Sequence, residues 1–222
     1  MRILDAKLNT IKLDVLSMMQ LVQNQLQESS QVLITIDEEK IREIKKRENK
    51  VDKFDTKINR DCERFLAMCT PVADDLRMVM TINNILPSVE RISDVAEKIA
   101  KFCKKFPEPI DPELINHLEL LELMQSLNFM YNSVMESFAE NSTLKLHDVF
   151  VKDQEINRIY KDGKKKLIER LEQTNNSAEK LVNLLLIISK LERVGDHIKT
   201  IAEEIYFCVE GTFLRHKHQN IN

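Results

Sequence analysis

The chain has 222 residues, enough for one large domain or two small ones around a substantial apolar core. Only three glycines and five prolines exclude a turn-rich α/β or all-β chain, and 5% aromatics without tryptophan leave the core to Leu, Ile, Val and Met. Charged residues reach 31% while the net charge is only -3, the pattern of long solvated helix faces and no basis for a nucleic-acid partner.

Helical periodicity is nearly continuous. The start, Met1 to Asp5, lacks the apolar stretch of a secretory signal, and a first helix is expected from Leu4 to Gln27. A second helix is expected after Asp37, a suitable N-cap, with a seam of Ile41, Ile44, Glu48, Val51, Asp55, Ile58, Cys62, Phe65 and Cys69 at alternating gaps of three and four. Thr70 and Pro71 punctuate, placing Pro71 in the first turn of a third helix. That helix carries Met78, Ile82, Ile85, Val89, Ile92, Ala96, Ile99 and Cys103 on one face, with a kink expected at Pro87. Three prolines between Phe106 and Pro112 mark a boundary. A fourth helix is expected over Glu113 to Glu140 and a fifth over Thr143 to Glu172. A sixth follows Asn175-Asn176-Ser177 with Leu181, Leu184, Ile188, Leu191, Gly195, Ile198, Ala202 and Ile205 on one face, ending near Gly211. The longest apolar run, Leu184 to Ile188, is far short of the ~20 residues that span a bilayer, so the chain is expected to be soluble and cytoplasmic.

The halves read as a repeat. Val89 to Asp94 resembles Leu191 to Asp196, an offset of 192 − 90 = 102. Glu48 to Asp52 resembles Asp153 to Asn157, an offset of 153 − 48 = 105. Two agreeing offsets point to duplication. The expected fold is all-α: two tandem pseudo-symmetric three-helix bundles of six antiparallel helices, over residues 1–106 and 113–222, joined by a proline-rich linker at 107–112.

Most carboxylates suit solvated helix faces. Glu48, Asp55 and Asp153 instead fall on seam positions, where a carboxylate must be paired, protonated or metal-bound. Glu90 with Asp94, and Glu192 with Asp196, project four residues apart from one helix face each. Packed pairwise, these helices would gather oxygen ligands suited to Mg²⁺, Mn²⁺, iron or Zn²⁺. Gly195 would let another helix approach beside that face, at about 1 kcal/mol of helix propensity. Arg91, Arg193, Lys45 and Lys50 stand beside the same carboxylates, so an inter-helix salt-bridge network is the equal alternative.

Other residues carry blander readings. Cys62, Cys69, Cys103 and Cys208 form no C-x-x-C pair and read as buried small hydrophobes. His197 reads as a partly buried structural histidine, Lys161 to Lys166 as a solvated face, and the nine methionines as core filler. The Glu-x-x-His of di-iron bundles is missing, as are phosphate loops and nucleophile elbows.

Three stretches together resemble the PhoU family of bacterial phosphate-uptake regulators. Pro71-Val72-Ala73-Asp74-Asp75-Leu76-Arg77 is similar to the family's P-x-A-x-D-L-R, and Glu192 to His197 to its E-R-I-G-D-H, with Glu90 to Asp94 as the first-half counterpart. Ala202 to Tyr206, Gly211 and Arg215-His216 are similar to the family's tail. The resemblance implies two symmetry-related bundles with multinuclear iron or zinc clusters, usually one per half. By position it implies metal ligands at Glu48, Asp52, Glu90 and Asp94, and at Asp153, Glu192 and Asp196. This chain departs from the family pattern at Asn157, Lys98, Thr200 and Ser93. The resemblance also implies a non-enzymatic role: a homodimer that conveys the state of a phosphate ABC transporter, through its ATPase, to a membrane sensor histidine kinase. It would repress the starvation response and reach the membrane only through partners. The competing readings are a carboxylate-bridged helical-bundle metalloenzyme and a metal-free helical adaptor.

Overall fold

The structure, a computed structural model, describes residues 3–173, 178–212 and 214; the Asn175-Asn176-Ser177 turn and the Arg215-His216 end of the tail lie outside them. Seven helices and no strands are formed among the described residues: α1 (Ile3–Ile34), α2 (Glu38–Met68), α3 (Asp74–Lys105), α4 (Pro112–His117), α5 (Leu120–Glu140), α6 (Leu146–Gln173) and α7 (Ala178–Glu210).

The first helix runs seven residues past its expected end, because its apolar face continues through the buried Val32 and Leu33. Ser29 and Ser30 are accommodated by donating their hydroxyls to the Leu26 carbonyl within the helix. Asp37 caps α2 as expected, its carboxylate accepting from the Glu39 and Lys40 amides. The third helix starts at Asp74 rather than at Pro71, after Ala73 turns the chain with a φ of 46°. Pro87 lies exposed inside α3, which continues unbroken to Lys105.

The expected fourth helix is two helices. Glu119 adopts a left-handed conformation (φ 51°) between α4 and α5. Its carboxylate accepts from Arg158 at 2.7 Å, which helps hold the unusual backbone in place. Lys166 donates to the His117 carbonyl at 2.6 Å and so caps the end of α4. That residue therefore has a structural task, unlike the exposed Lys161, Lys164 and Lys165 beside it. At the far end, Gly211 (φ 68°) closes α7 by donating its amide to Phe207.

Helices α1, α2 and α3 pack on one another, as do α5, α6 and α7. The two sets are joined by α3 against α7, the most extensive helix pair, and by α1 against α5. One continuous cluster of buried side chains therefore runs through both, from Ile11 on α1 to Ile205 on α7. Cys62 and Cys103 are buried in it, Cys208 is buried outside it and Cys69 is half-buried; all four are free thiols. Burial pushes the Cys62 thiol up to about 11 and Cys103 to about 12, which keeps both protonated and inert. No helix among the described residues is long and apolar enough to cross a membrane.

Candidate functional site: the acidic helix motifs

In the first half, Glu48 sits on α2 between the buried Ile44 and Val51, as its seam position requires. Its carboxylate accepts from Gln25 Nε2 at 3.3 Å and from Ser93 Oγ. Gln25 and Ser93 are themselves fully buried on α1 and α3, and Ser93 Oγ lies 2.7 Å from Gln25 Oε1. Gln25 also donates to the Ile44 carbonyl at 3.0 Å. This polar knot ties three helices together at one level. Burial pushes the Glu48 carboxyl above its ordinary value; the bonds from Ser93 and Gln25 oppose that, and the charges of Asp94 and Asp52 add to it.

Glu90, on α3, is also raised, first by burial and then by repulsion from Asp94, Asp55 and Asp52, with Arg91 opposing. Asp55 is raised by burial and by Asp52, against a hydrogen bond from Asn59. Helices α2 and α3 thus bring Glu48, Asp52, Asp55, Glu90 and Asp94 within one another's field. The lysine in ion-pair reach of them is Lys98, with Nζ 3.2 Å from Asp94.

In the second half, Asp153 occupies the matching seam of α6 between the buried Val149 and Ile156, only 5% exposed. Lys199 on α7 places Nζ 3.1 Å from its carboxylate, and the Asn157 amide lies 3.4 Å away. Glu192 is raised by burial and by Asp196, with Arg193 opposing and Asp153 adding to the rise. Asp196 is exposed. His197 is half-buried; burial and the charges of Arg91 and Arg193 lower its pKa, against Asp196. A Cβ added at Gly195 would meet Ile156 at 3.5 Å and Leu127 at 3.7 Å, which is ordinary contact. The approach of α6 therefore does not require a glycine there, contrary to the expectation from sequence.

The expected ligands are drawn toward one another by pairs of helices, but no three His, Cys, Asp or Glu side chains among the described residues form a metal-holding group. The first-half donor set nevertheless suits a hard cation: it is all oxygen, and Glu48 and Glu90 stand in the repulsive field of Asp52 and Asp94. The second-half set does not, because its buried carboxylate is already bonded to an ammonium and an amide. The ion pairs also come from other residues than expected: Lys98 and Lys199, rather than Lys45, Lys50, Arg91 or Arg193. Gln25 was not expected at the site, whereas Ser93 was noted from sequence only as a departure from the family pattern. The signal for Gln25 was a polar residue on an apolar stripe, since Ile11, Val15, Met18, Val22, Gln25, Ser29 and Val32 follow one seam of α1.

These features define an all-α protein of two related three-helix units on a shared core, each with an acidic motif on its second and third long helices. A model of the PhoU domain matches residues 15–103 and again 120–205, and the chain belongs to the PhoU family. It is 26% identical over 216 residues to the phosphate-specific transport system accessory protein PhoU homolog of Pseudomonas aeruginosa, covering 96% of this chain and 87% of that protein. It is also 26% identical over 213 residues to the phosphate-specific transport system accessory protein PhoU of Escherichia coli, with the same coverage of both chains. The crystal structure of PhoU from P. aeruginosa superimposes with a TM-score of 0.88 at 25% identity, over 94% of this chain and 99% of that one. A PhoU structure from Streptococcus pneumoniae gives 0.84 at 23% identity over 95% and 99%, a likeness of fold.

Proposed function

We propose that the chain is a non-enzymatic accessory regulator of phosphate uptake, working by protein–protein contact at the cytoplasmic side of the membrane. The observation that carries this reading is the match of both repeats, along nearly the whole chain, to proteins named as accessories of phosphate-specific transport. The partners of such a role are the ATPase of a phosphate ABC transporter and a sensor histidine kinase, with the chain acting as a homodimer. Long helices with exposed polar faces on a rigid shared core are a fitting scaffold for reversible docking. Deleting the gene is expected to switch on phosphate-starvation genes in phosphate-rich medium; unchanged expression would reject the role.

The first-half carboxylates are the second element of the proposal. Glu48, Asp52, Glu90 and Asp94 would hold a hard or borderline cation, iron or zinc above all, and it would offset their mutual repulsion. The support is that Glu48 and Glu90, raised above ordinary carboxyl values first by burial, are also repelled by Asp94 and Asp52. Elemental analysis of protein purified without chelator is expected to find metal that is lost in the Glu90→Ala, Asp94→Ala double variant. Metal-free protein, with melting unaltered by those changes, would favour the plain helical adaptor.

A further inference from the structure

The buried carboxylate of the second half has a counter-charge of its own. Asp153 is the one charged side chain among the described residues that is fully buried. An ionised carboxylate in that position is costly unless a cation and hydrogen bonds compensate it. Lys199 supplies the charge from α7 at 3.1 Å and Asn157 an amide donor at 3.4 Å. We infer that the second-half acidic motif is a protein-internal ion pair, the Lys199 ammonium standing beside the buried Asp153 carboxylate, so that this half takes up no metal.

Comparison of the repeats supports this independently. At the offset of 102, Lys199 corresponds to Glu97 and Thr200 to Lys98; at the offset of 105, Asn157 corresponds to Asp52 and Tyr160 to Asp55. Across these four positions the first half carries a net charge of -2 (Asp52, Asp55, Glu97, Lys98) and the second +1 (Lys199). Glu97 pairs with Lys101 on its own helix, whereas Lys199 crosses from α7 to α6. Of the other charged groups near this pair, Glu192 shares an electrostatic field with Asp153, and Arg193 and Asp196 act on Glu192. An incoming metal ion would have to displace an ammonium tethered to the same chain, and therefore present at high effective concentration.

This inference does not depend on whether the first half binds metal, and the test keeps the two apart. The full chain carrying Glu90→Gln and Asp94→Asn is saturated with Zn²⁺, or anaerobically with Fe²⁺, freed of excess by gel filtration and analysed for metal. Essentially none is expected. About one ion per chain, lost when Asp153→Asn is added, would overturn the inference. A thermal cycle at pH 7 in chelator reads the pair itself. Lys199→Met alone is expected to lower the Tm by about 5 °C, and by almost nothing in the Asp153→Asn background. Equal shifts in both backgrounds would also overturn it.

Discussion

On the α2–α3 surface, Glu48, Asp52, Asp55, Glu90 and Asp94 share an acidic field that one lysine, Lys98, enters at ion-pair distance. On the equivalent α6–α7 surface, Asp153 pairs with Lys199, Glu192 and Asp196 repel one another, and neutral Asn157 and Tyr160 replace two of the carboxylates. The helices beneath these surfaces have changed much less: Val89, Ile92, Ala96 and Ile99 of α3 correspond to Leu191, Val194, Ile198 and Ile201 of α7, all fully buried. Core positions are held to apolar volume by close packing. Seam carboxylates are held only to local neutrality, which a metal, a proton or a lysine can each supply. Two copies of one scaffold can therefore keep their packing while their electrostatics diverge.

The sharpest way to break this comparison is to ask whether the halves are separate folding units. Leu191 is fully buried on α7, and Leu191→Ala is expected to cost about 2–5 kcal/mol, measured by denaturant unfolding. Because one core runs through both halves, the loss should appear as a single shifted transition. Two resolved transitions would mean that the halves unfold independently.

Next in size is the knot around Glu48. Ser93→Ala removes a fully buried hydroxyl that bonds the Glu48 carboxylate, and should cost about 1–2 kcal/mol at pH 7. At the matching position the second half has Gly195, with no hydroxyl to lose. No change in stability for the Ser93 variant would mean that the knot contributes little.

Acidity distinguishes the halves more finely. Burial and like charge raise both Glu90 and Glu192 above the ordinary glutamate value of 4.5. A raised carboxyl binds its proton more readily in the folded state. Its stabilising contribution is therefore complete below the unfolded value and is lost as pH rises through the folded one. In chelator, the contribution of these two groups to the Tm is expected to rise as pH falls toward that ordinary value. Glu90→Gln should flatten that rise more than Glu192→Gln, because three carboxylates repel Glu90 and two repel Glu192. Equal effects would remove the electrostatic difference between the halves. The smallest expected change is Gly195→Ala: the added methyl makes only ordinary contacts, so helix propensity should stabilise the chain by up to about 1 kcal/mol. Destabilisation would restore the close-approach role that the sequence suggested.

Much of this was open to reading from the chain alone. The seam spacing of α2 placed Glu48 and Asp55 among buried residues, and the structure finds them part-buried with raised carboxyls. Two offsets near 102 and 105 disclosed the duplication. The split of the fourth helix was hidden, since Leu118, Glu119 and Leu120 continue a helical pattern and the turn is marked by bonds from another helix, Arg158 to Glu119 and Lys166 to the His117 carbonyl. The partners of the carboxylates were hidden for a similar reason: adjacency in sequence favoured Arg91 and Arg193, whereas Lys199 reaches Asp153 across 46 residues of chain.

Periodicity, caps and breakers act over a few residues, so the sequence by itself determined the all-α class, the helices and which face of each is apolar. Which cation meets which carboxylate depends on how α6 lies against α7 and α2 against α3, and the joining of the halves depends on α3 meeting α7. Those relations arise from packing between distant segments, and only the tertiary structure decided them. For that reason it alone places Lys98 beside Asp94 in the first half and Lys199 beside the buried Asp153 in the second.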